Sequence, residues 1–368
     1  MRSLPEYPFD RIAPYRATAE RHPGGLIDLS MGTPVDPVPE SIRKALADRS
    51  DRPGYPMTAG TPELRRSIRD WLARHCHTPA DDGPGVLPTI GSKEAVAWLP
   101  TLLDLGPGDA VVFPRLSYPT YEIGARLAGA DLIRADDPAE VDHPRVRLVW
   151  LNSPGNPTGE VLSAARLTGW VEWSRERGAI VVDDECYHSL GWEAAPASIL
   201  DPAVSGPVPS GVLAVHSLSK RSNLAGYRAG FIAGDAALIE ALLQVRKHAG
   251  MIVPTPVQAA MVEALTDESH AEEQRERYRR RRDRLATALR DAGWRIDHSE
   301  AGLYLWVTDG RDCWEATAAF AELGVLVVPG EVYGPDGDRH VRIALTVTDA
   351  QVTEAVTRLA TRPRSALA

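Results

Sequence analysis

Lysine is scarce in this chain of 368 residues: it occurs only at 44, 93, 220 and 247, although Lys and Arg together number 41. Chemistry that needs a primary amine therefore has four candidates. Cysteine is rarer still. Cys76, Cys186 and Cys313 are scattered and odd in number, which excludes a disulfide framework and suits reduced thiols. No apolar run approaches the length of a membrane span, and the opening Met1-Arg2-Ser3-Leu4-Pro5-Glu6-Tyr7-Pro8 lacks the apolar core of a secretory leader. The expectation is a cytoplasmic protein without a membrane partner. Positive charge is in deficit, with a formal net charge of −9, so nothing draws the chain generally to nucleic acid. There is no internal repeat, no low-complexity segment and no Pro/Gly-rich linker.

What is present is globular: 43% hydrophobic and 25% charged residues, ample for a sizeable core, over a length that suits two domains. The segment through Pro39 reads as an arm with one short strand, 26–30. Helical patterns follow at 41–49 and 61–75, the second opened by an N-cap Thr61 with Pro62 just inside. From Gly91 the pattern is regular: helix 93–103, strand 110–113, helix 119–127, strands 131–134 and 146–151, helix 164–177, strands 179–183, 212–216 and 230–233. Short apolar runs alternating with helices predict an α/β fold, a mostly parallel sheet covered on both faces. Beyond Thr266 come a long charged helix, 269–292, strands 294–297 and 303–307, helix 314–323, strands 325–328 and 341–345, and a closing helix 349–361. That α+β pattern suggests a second, smaller domain. The expected division is 46–268 for the large domain, and 1–45 with 269–368 for the small one.

Three motifs sit at predicted strand ends, where parallel sheets bind ligands. Lys220 lies in His216-Ser217-Leu218-Ser219-Lys220, directly after a buried strand, and Arg228 adds a cation eight residues on. Lys44 reads as a solvated helix residue and Lys247 as a cation at a helix end. Lys93 opens a helix, a place suited to anions. Asn152-Ser153-Pro154-Gly155-Asn156-Pro157-Thr158-Gly159 is turn chemistry after another strand. Asp183-Asp184-Glu185-Cys186-Tyr187 places acids at the end of a third, where burial needs compensation. An asparagine, an acid and a lysine would face one crevice.

Asn156-Pro157-Thr158-Gly159, Asp184-x-x-Tyr187, Ser217-x-Ser219-Lys220 and Arg228, in this order, resemble the class I/II aminotransferases of the fold type I pyridoxal-phosphate enzymes. The finer resemblance is to the actinobacterial-type succinyldiaminopimelate aminotransferases, through stretches such as 29–39, 89–94, 219–228 and 245–251. The resemblance implies that Lys220 binds the aldehyde of pyridoxal 5'-phosphate and then serves as general base. It implies that Asp184 keeps the pyridine nitrogen protonated, that Tyr187 and Asn156 hydrogen-bond the ring oxygen, and that Tyr118 stacks on the ring. Ser92, the Lys93 amide, Ser217 and Arg228 would hold the phosphate. Tyr55 would reach it from the partner subunit of a homodimer with shared sites. Arg342 and Gly32 would receive the substrate α-carboxylate. The implied reaction is ping-pong transfer from glutamate to N-succinyl-2-amino-6-oxopimelate. Rival readings are another aminotransferase or a C–S lyase of the same fold, and a ligand-sensing regulator, which would need a DNA-binding extension.

Two other signals read differently. His75-Cys76-His77 looks like a metal fragment, but neighbours on a helix do not face one site, so a surface helix end and no metal are expected. The run Arg279-Arg280-Arg281-Arg282 is interleaved with acids and reads as a solvated, salt-bridged face.

Overall fold

The structure is a computed structural model that describes residues 4–79 and 83–361. Its main sheet has seven strands: β1 Gly85–Ile90, β2 Ala110–Phe113, β3 Asp131–Arg134, β4 Val146–Leu151, β5 Ile180–Asp184, β6 Val212–Ser217 and β7 Ala229–Gly234. Their order is β1-β7-β6-β5-β4-β2-β3. Only β7 runs against its neighbours. Alternate side chains serve opposite faces, as the two-residue period of a strand dictates. Val112, Val149, Val181 and Ala214 face Ile68, Leu167 and Trp170 in one core. Val111, Leu148, Trp150 and Leu213 face Val96, Leu99 and Tyr121 in the other. Both faces are covered, so the strands read as continuous apolar runs.

A second layer carries an antiparallel sheet of Arg295–Asp297, Tyr304–Thr308, Val341–Ala344 and Val328–Pro329. Its core gathers Tyr278, Leu285, Leu289, Leu305, Val307, Phe320, Val352 and Leu359. The N-terminal segment joins this layer, because Ile27–Asp28 pairs in parallel with Val325–Leu326. No helix among the described residues is long and apolar enough to cross a membrane.

The structure departs from the sequence reading at informative places. The strand β1 was not expected, since Gly85 and Pro88 argue against one; it is an edge strand, where a proline is tolerated. The arm before Pro39 contains a helix, Ala13–Glu20. The expected strand 325–328 divides between two sheets, Val325–Leu326 pairing with Ile27–Asp28 and Val328–Pro329 with Val341–Arg342. The four-arginine run is only half solvated. Exposed Arg279 and Arg280 pair with half-buried Glu276, but Arg281 is buried and ties the loop residue Asp36 to Asp349, at the start of the closing helix. Arg282 is buried too, bonded to Glu193 and to the Ser299 carbonyl.

Candidate active site

The carboxyl ends of β4, β5 and β6 lie side by side, so the loops that follow them share one edge. Because β7 is antiparallel, its start meets that same edge and brings Arg228 with it. The helix Ser92–Leu102 begins there as well, directly after β1. Between this edge and the second layer lies a cavity of about 280 Å³. Every residue given a cofactor or substrate role from the sequence lines it except Tyr55, which is 99% exposed on this chain and is not among the lining residues.

One end of the cavity is an anion cradle. Gly91, at φ 71°, precedes the helix start, and a Cβ there would collide with the Arg228 guanidinium. A Cβ at Gly230 would come within 3.0 Å of the Ser92 backbone nitrogen. Glycine at these two positions lets the arginine and the free amides of the helix N-terminus converge. Arg228 itself is held at φ 55°, a conformation that costs a non-glycine residue energy and that the surrounding fold has to sustain. Its guanidinium donates to the Ala225 carbonyl at 2.9 Å. Ser217 uses its hydroxyl to cap the Ser219 amide at 3.1 Å, which fixes the turn leading to Lys220.

Asp184 lies at the centre. Burial pushes its carboxyl above the ordinary aspartate range, although hydrogen bonds from Cys186 and Tyr121 pull the other way. The Tyr121 hydroxyl donates at 2.9 Å and the Cys186 amide at 3.2 Å. No cation of the described residues pairs with it. Asn152, after β4, donates to the Asp184 carbonyl at 2.8 Å and accepts from the Asn156 amide at 2.7 Å, which stitches two of the strand-end loops together.

At the other end, Arg342 is buried, with both terminal nitrogens bonded and Nε without a partner among the described residues. Its guanidinium donates to Asn156 Oδ1 at 2.8 Å and to the Ser30 carbonyl at 2.6 Å. Its Cζ lies 4.0 Å from the ring centre of Tyr304 and 4.9 Å from that of Tyr333. Lys220 donates to the Gly32 carbonyl, and burial holds its ammonium below the ordinary lysine range. That favours a neutral amine able to act as nucleophile and base. Tyr118 lies edge-on to Tyr121, ring centres 5.8 Å apart. The Lys93 ammonium is 5.6 Å from the ring of Tyr7 at the cavity wall. The lining thus holds Lys93, Lys220, Arg228 and Arg342 against the single acid Asp184, an excess of cations inside an acidic chain.

A profile of the aminotransferase class I and II family matches residues 25–359. The chain belongs to the class I and II aminotransferases. It is 55% identical over 359 residues to the 4-dedimethylamino-4-oxo-anhydrotetracycline transaminase OxyQ of Streptomyces rimosus, an alignment spanning 98% of this chain and 100% of that one. It is also 55% identical over 357 residues to a probable aminotransferase of Mycobacterium tuberculosis, with 97% and 85% covered. Among solved structures, the N-succinyldiaminopimelate aminotransferase of Mycobacterium tuberculosis superposes with a TM-score of 0.84 at 27% identity, covering 96% of this chain and 97% of that one. The resemblance drawn from the motifs therefore holds at the level of family and of the α/β, fold type I architecture. Aminotransferases of this family depend on pyridoxal phosphate. The cavity suits that group: an anion cradle, a buried carboxylate lacking a cation among the described residues, and a buried amine all line it.

Sequence reasoning missed several lining or supporting groups: Tyr7 and Phe9 of the arm, Tyr121 and Tyr304. It also misread Cys76. This thiol is buried rather than at the surface, and its sulfur and the polar atoms of Glu185 and His216 lie within 4.8 Å of one another. His75 and His77 turn instead to Glu268 and Asp201. Beneath the cavity, burial pushes Glu185 up to about 8 and His188 down to about 4.

Proposed function

We propose that this aminotransferase exchanges an amino group between glutamate/2-oxoglutarate and N-succinyl-2-amino-6-oxopimelate, as a cytoplasmic succinyldiaminopimelate transaminase. The observation that carries the reading is the division of the four lining cations. When bound, pyridoxal phosphate supplies an aldehyde that exchanges amines and a protonated ring that accepts electrons from the substrate Cα. Arg228 with Ser92, Ser217 and the Lys93 amide holds the phosphate. Asp184 balances the ring's positive nitrogen. Lys220 holds the aldehyde and then, as a free amine, moves the substrate Cα proton. Tyr187 and Asn156 bond the ring oxygen, and Tyr118 covers the ring face. Arg342 grips the α-carboxylate, which would enter beside Gly32.

That leaves the Lys93 ammonium. It lies on the cavity wall, outside the cradle's backbone contacts, and is free to leave Tyr7 for a distal carboxylate. Glutamate carries one and the succinylated acceptor two, which is the support for a donor and an acceptor that both bear distal carboxylates. Because donor and acceptor use the same site in turn, the kinetics are ping-pong. In this reading the functional unit is a homodimer, Tyr55 completes the phosphate site of the partner subunit, and the large domain is 46–268 with 1–45 and 269–368 as the small one.

A second reading, amination of a bulky cyclic ketone, is favoured by the 55% identity to the Streptomyces rimosus transaminase across its whole length. A C–S lyase of the same fold is the third. Purified enzyme charged with glutamate is offered N-succinyl-2-amino-6-oxopimelate, unrelated 2-oxo acids and polycyclic ketones, and 2-oxoglutarate release is followed. The proposed reading expects the succinylated acceptor to be used best, and Lys93→Met to weaken it far more than a monocarboxylate. Preference for a cyclic ketone, or turnover without any 2-oxo acid, would refute it.

A further inference from the structure

Tyr304 opens the strand Tyr304–Thr308 and pairs with Ala344, two positions from Arg342 on the neighbouring strand. Its ring is the platform under the Arg342 guanidinium. Its hydroxyl lies 3.0 Å from that of Tyr187, with the two rings at 77° and centres 5.7 Å apart. A Cβ at Gly32 would collide with the same hydroxyl, and Gly32 offers its carbonyl to Lys220. One phenol from the antiparallel layer thus touches the carboxylate-binding arginine, the tyrosine of the strand-end loop and the glycine that receives the lysine.

Two hydroxyls at this distance share one proton between them, and each phenol brings one. If Tyr187 donates, its proton is spent on Tyr304. If Tyr304 donates, Tyr187 keeps a proton to offer into the cavity it lines. Neither hydroxyl has another partner among the described residues and both line the cavity; in the aminotransferase reading Tyr187 gives its proton to the ring oxygen, which leaves Tyr304 to donate to Tyr187. A hydroxyl that accepts a hydrogen bond also becomes a stronger donor.

We propose that Tyr304 is a positioning residue: its hydroxyl donates to the Tyr187 oxygen and thereby aims and strengthens the Tyr187 proton toward an anionic oxygen in the cavity. This rests on the aminotransferase reading, in which that oxygen belongs to the pyridoxal phosphate ring. The charged and titratable groups facing the pair are Lys220, Arg342, Cys186, Tyr118, Tyr278 and Tyr333. All of them are retained when only the Tyr304 hydroxyl is removed.

Tyr304→Phe keeps the ring beneath Arg342 and deletes one oxygen. The test reconstitutes wild type, Tyr304→Phe, Tyr187→Phe and the double variant with pyridoxal phosphate and titrates the cofactor's absorbance against pH. Donation to the ring oxygen stabilises its fully anionic, high-pH form. Weakening that donation therefore raises the midpoint, by roughly 0.3 pH unit in Tyr304→Phe. Tyr187→Phe raises it further, and the double variant stays at the Tyr187→Phe value, since Tyr304 acts through Tyr187. An unchanged midpoint in Tyr304→Phe, or shifts that add in the double variant, would overturn the inference. A borohydride adduct on Lys220 beside an unchanged midpoint overturns this inference alone, whereas an adduct on another lysine overturns the site reading as well.

Discussion

The edge of the seven-stranded sheet and the antiparallel layer above it build one cavity by different means. The sheet edge places its groups on short loops whose backbone is locked by neighbours: Asn152 ties two loops together, Ser217 caps the turn before Lys220, and Arg228 is held in a strained conformation against Gly91. The layer instead contributes long side chains, Tyr304 and Arg342, the arginine held in place by two aromatic rings and two acceptors. The first arrangement suits a group that stays through every turnover. The second suits a substrate that must enter and leave: in the proposed reading a carboxylate displaces the Asn156 and Ser30 acceptors when it arrives.

This contrast predicts where substitutions act. If Asp184 balances the ring nitrogen as proposed, Asp184→Ala should lower kcat by about 100-fold or more, while cofactor still binds. Steady-state kinetics showing near-normal kcat would mean that another group does this work. Arg342→Lys should act on the other end. Losing the bidentate, ring-stacked contact costs about 1.5–3 kcal/mol, seen as a KM raised about 10-fold or more for every amino-acid substrate with cofactor affinity unchanged. A kcat effect without a KM effect would break the proposed division of labour.

Tyr55→Phe should weaken cofactor retention by a smaller factor. At limiting cofactor, mixed dimers of Tyr55→Phe and Lys220→Ala subunits carry both defects in one site and neither in the other if Tyr55 serves the partner subunit. Activity per competent site should then exceed that of the Tyr55→Phe homodimer; activity no better than the homodimer's would place Tyr55 outside any shared site.

The smallest effect concerns stability. Glu185 binds its proton up to about pH 8 in the folded chain, well above its value when unfolded. The folded state thus holds more protons, and stability falls as pH rises toward 8. His188, depressed to about 4, has lost its proton in both states above about pH 6.5 and opposes this only below that. Denaturation of cofactor-free protein should show wild type losing about 1 kcal/mol more than Glu185→Gln between pH 6.5 and 8. Parallel behaviour of the two proteins would show that Glu185 is ionised throughout.

The two regions were also unequally legible. Strands β2, β3 and β4 and the helix Ala164–Arg177 fall at the limits read from their apolar runs, because strands buried on both faces leave an uninterrupted pattern. The groups of the sheet edge follow those runs directly, so Asn156, Asp184, Ser217 and Lys220 could be picked out. Tyr304 could not. It lies inside an apolar run, and what makes it matter is a contact with a loop 117 residues away. Tyr7 and Tyr121 are of the same kind, aromatics whose partners are set by tertiary packing. Edge strand β1 was hidden by Pro88, and Arg281 by its three like-charged neighbours, although its own partners are Asp36 and Asp349.

The central claim is that the amine between these two regions belongs to Lys220. Reduction of the yellow, cofactor-loaded protein with borohydride, followed by peptide mapping, tests it directly. The account predicts a single pyridoxyl adduct on the peptide containing Ser219 and Lys220, absent in Lys220→Ala. An adduct on Lys44, Lys93 or Lys247 instead would contradict it.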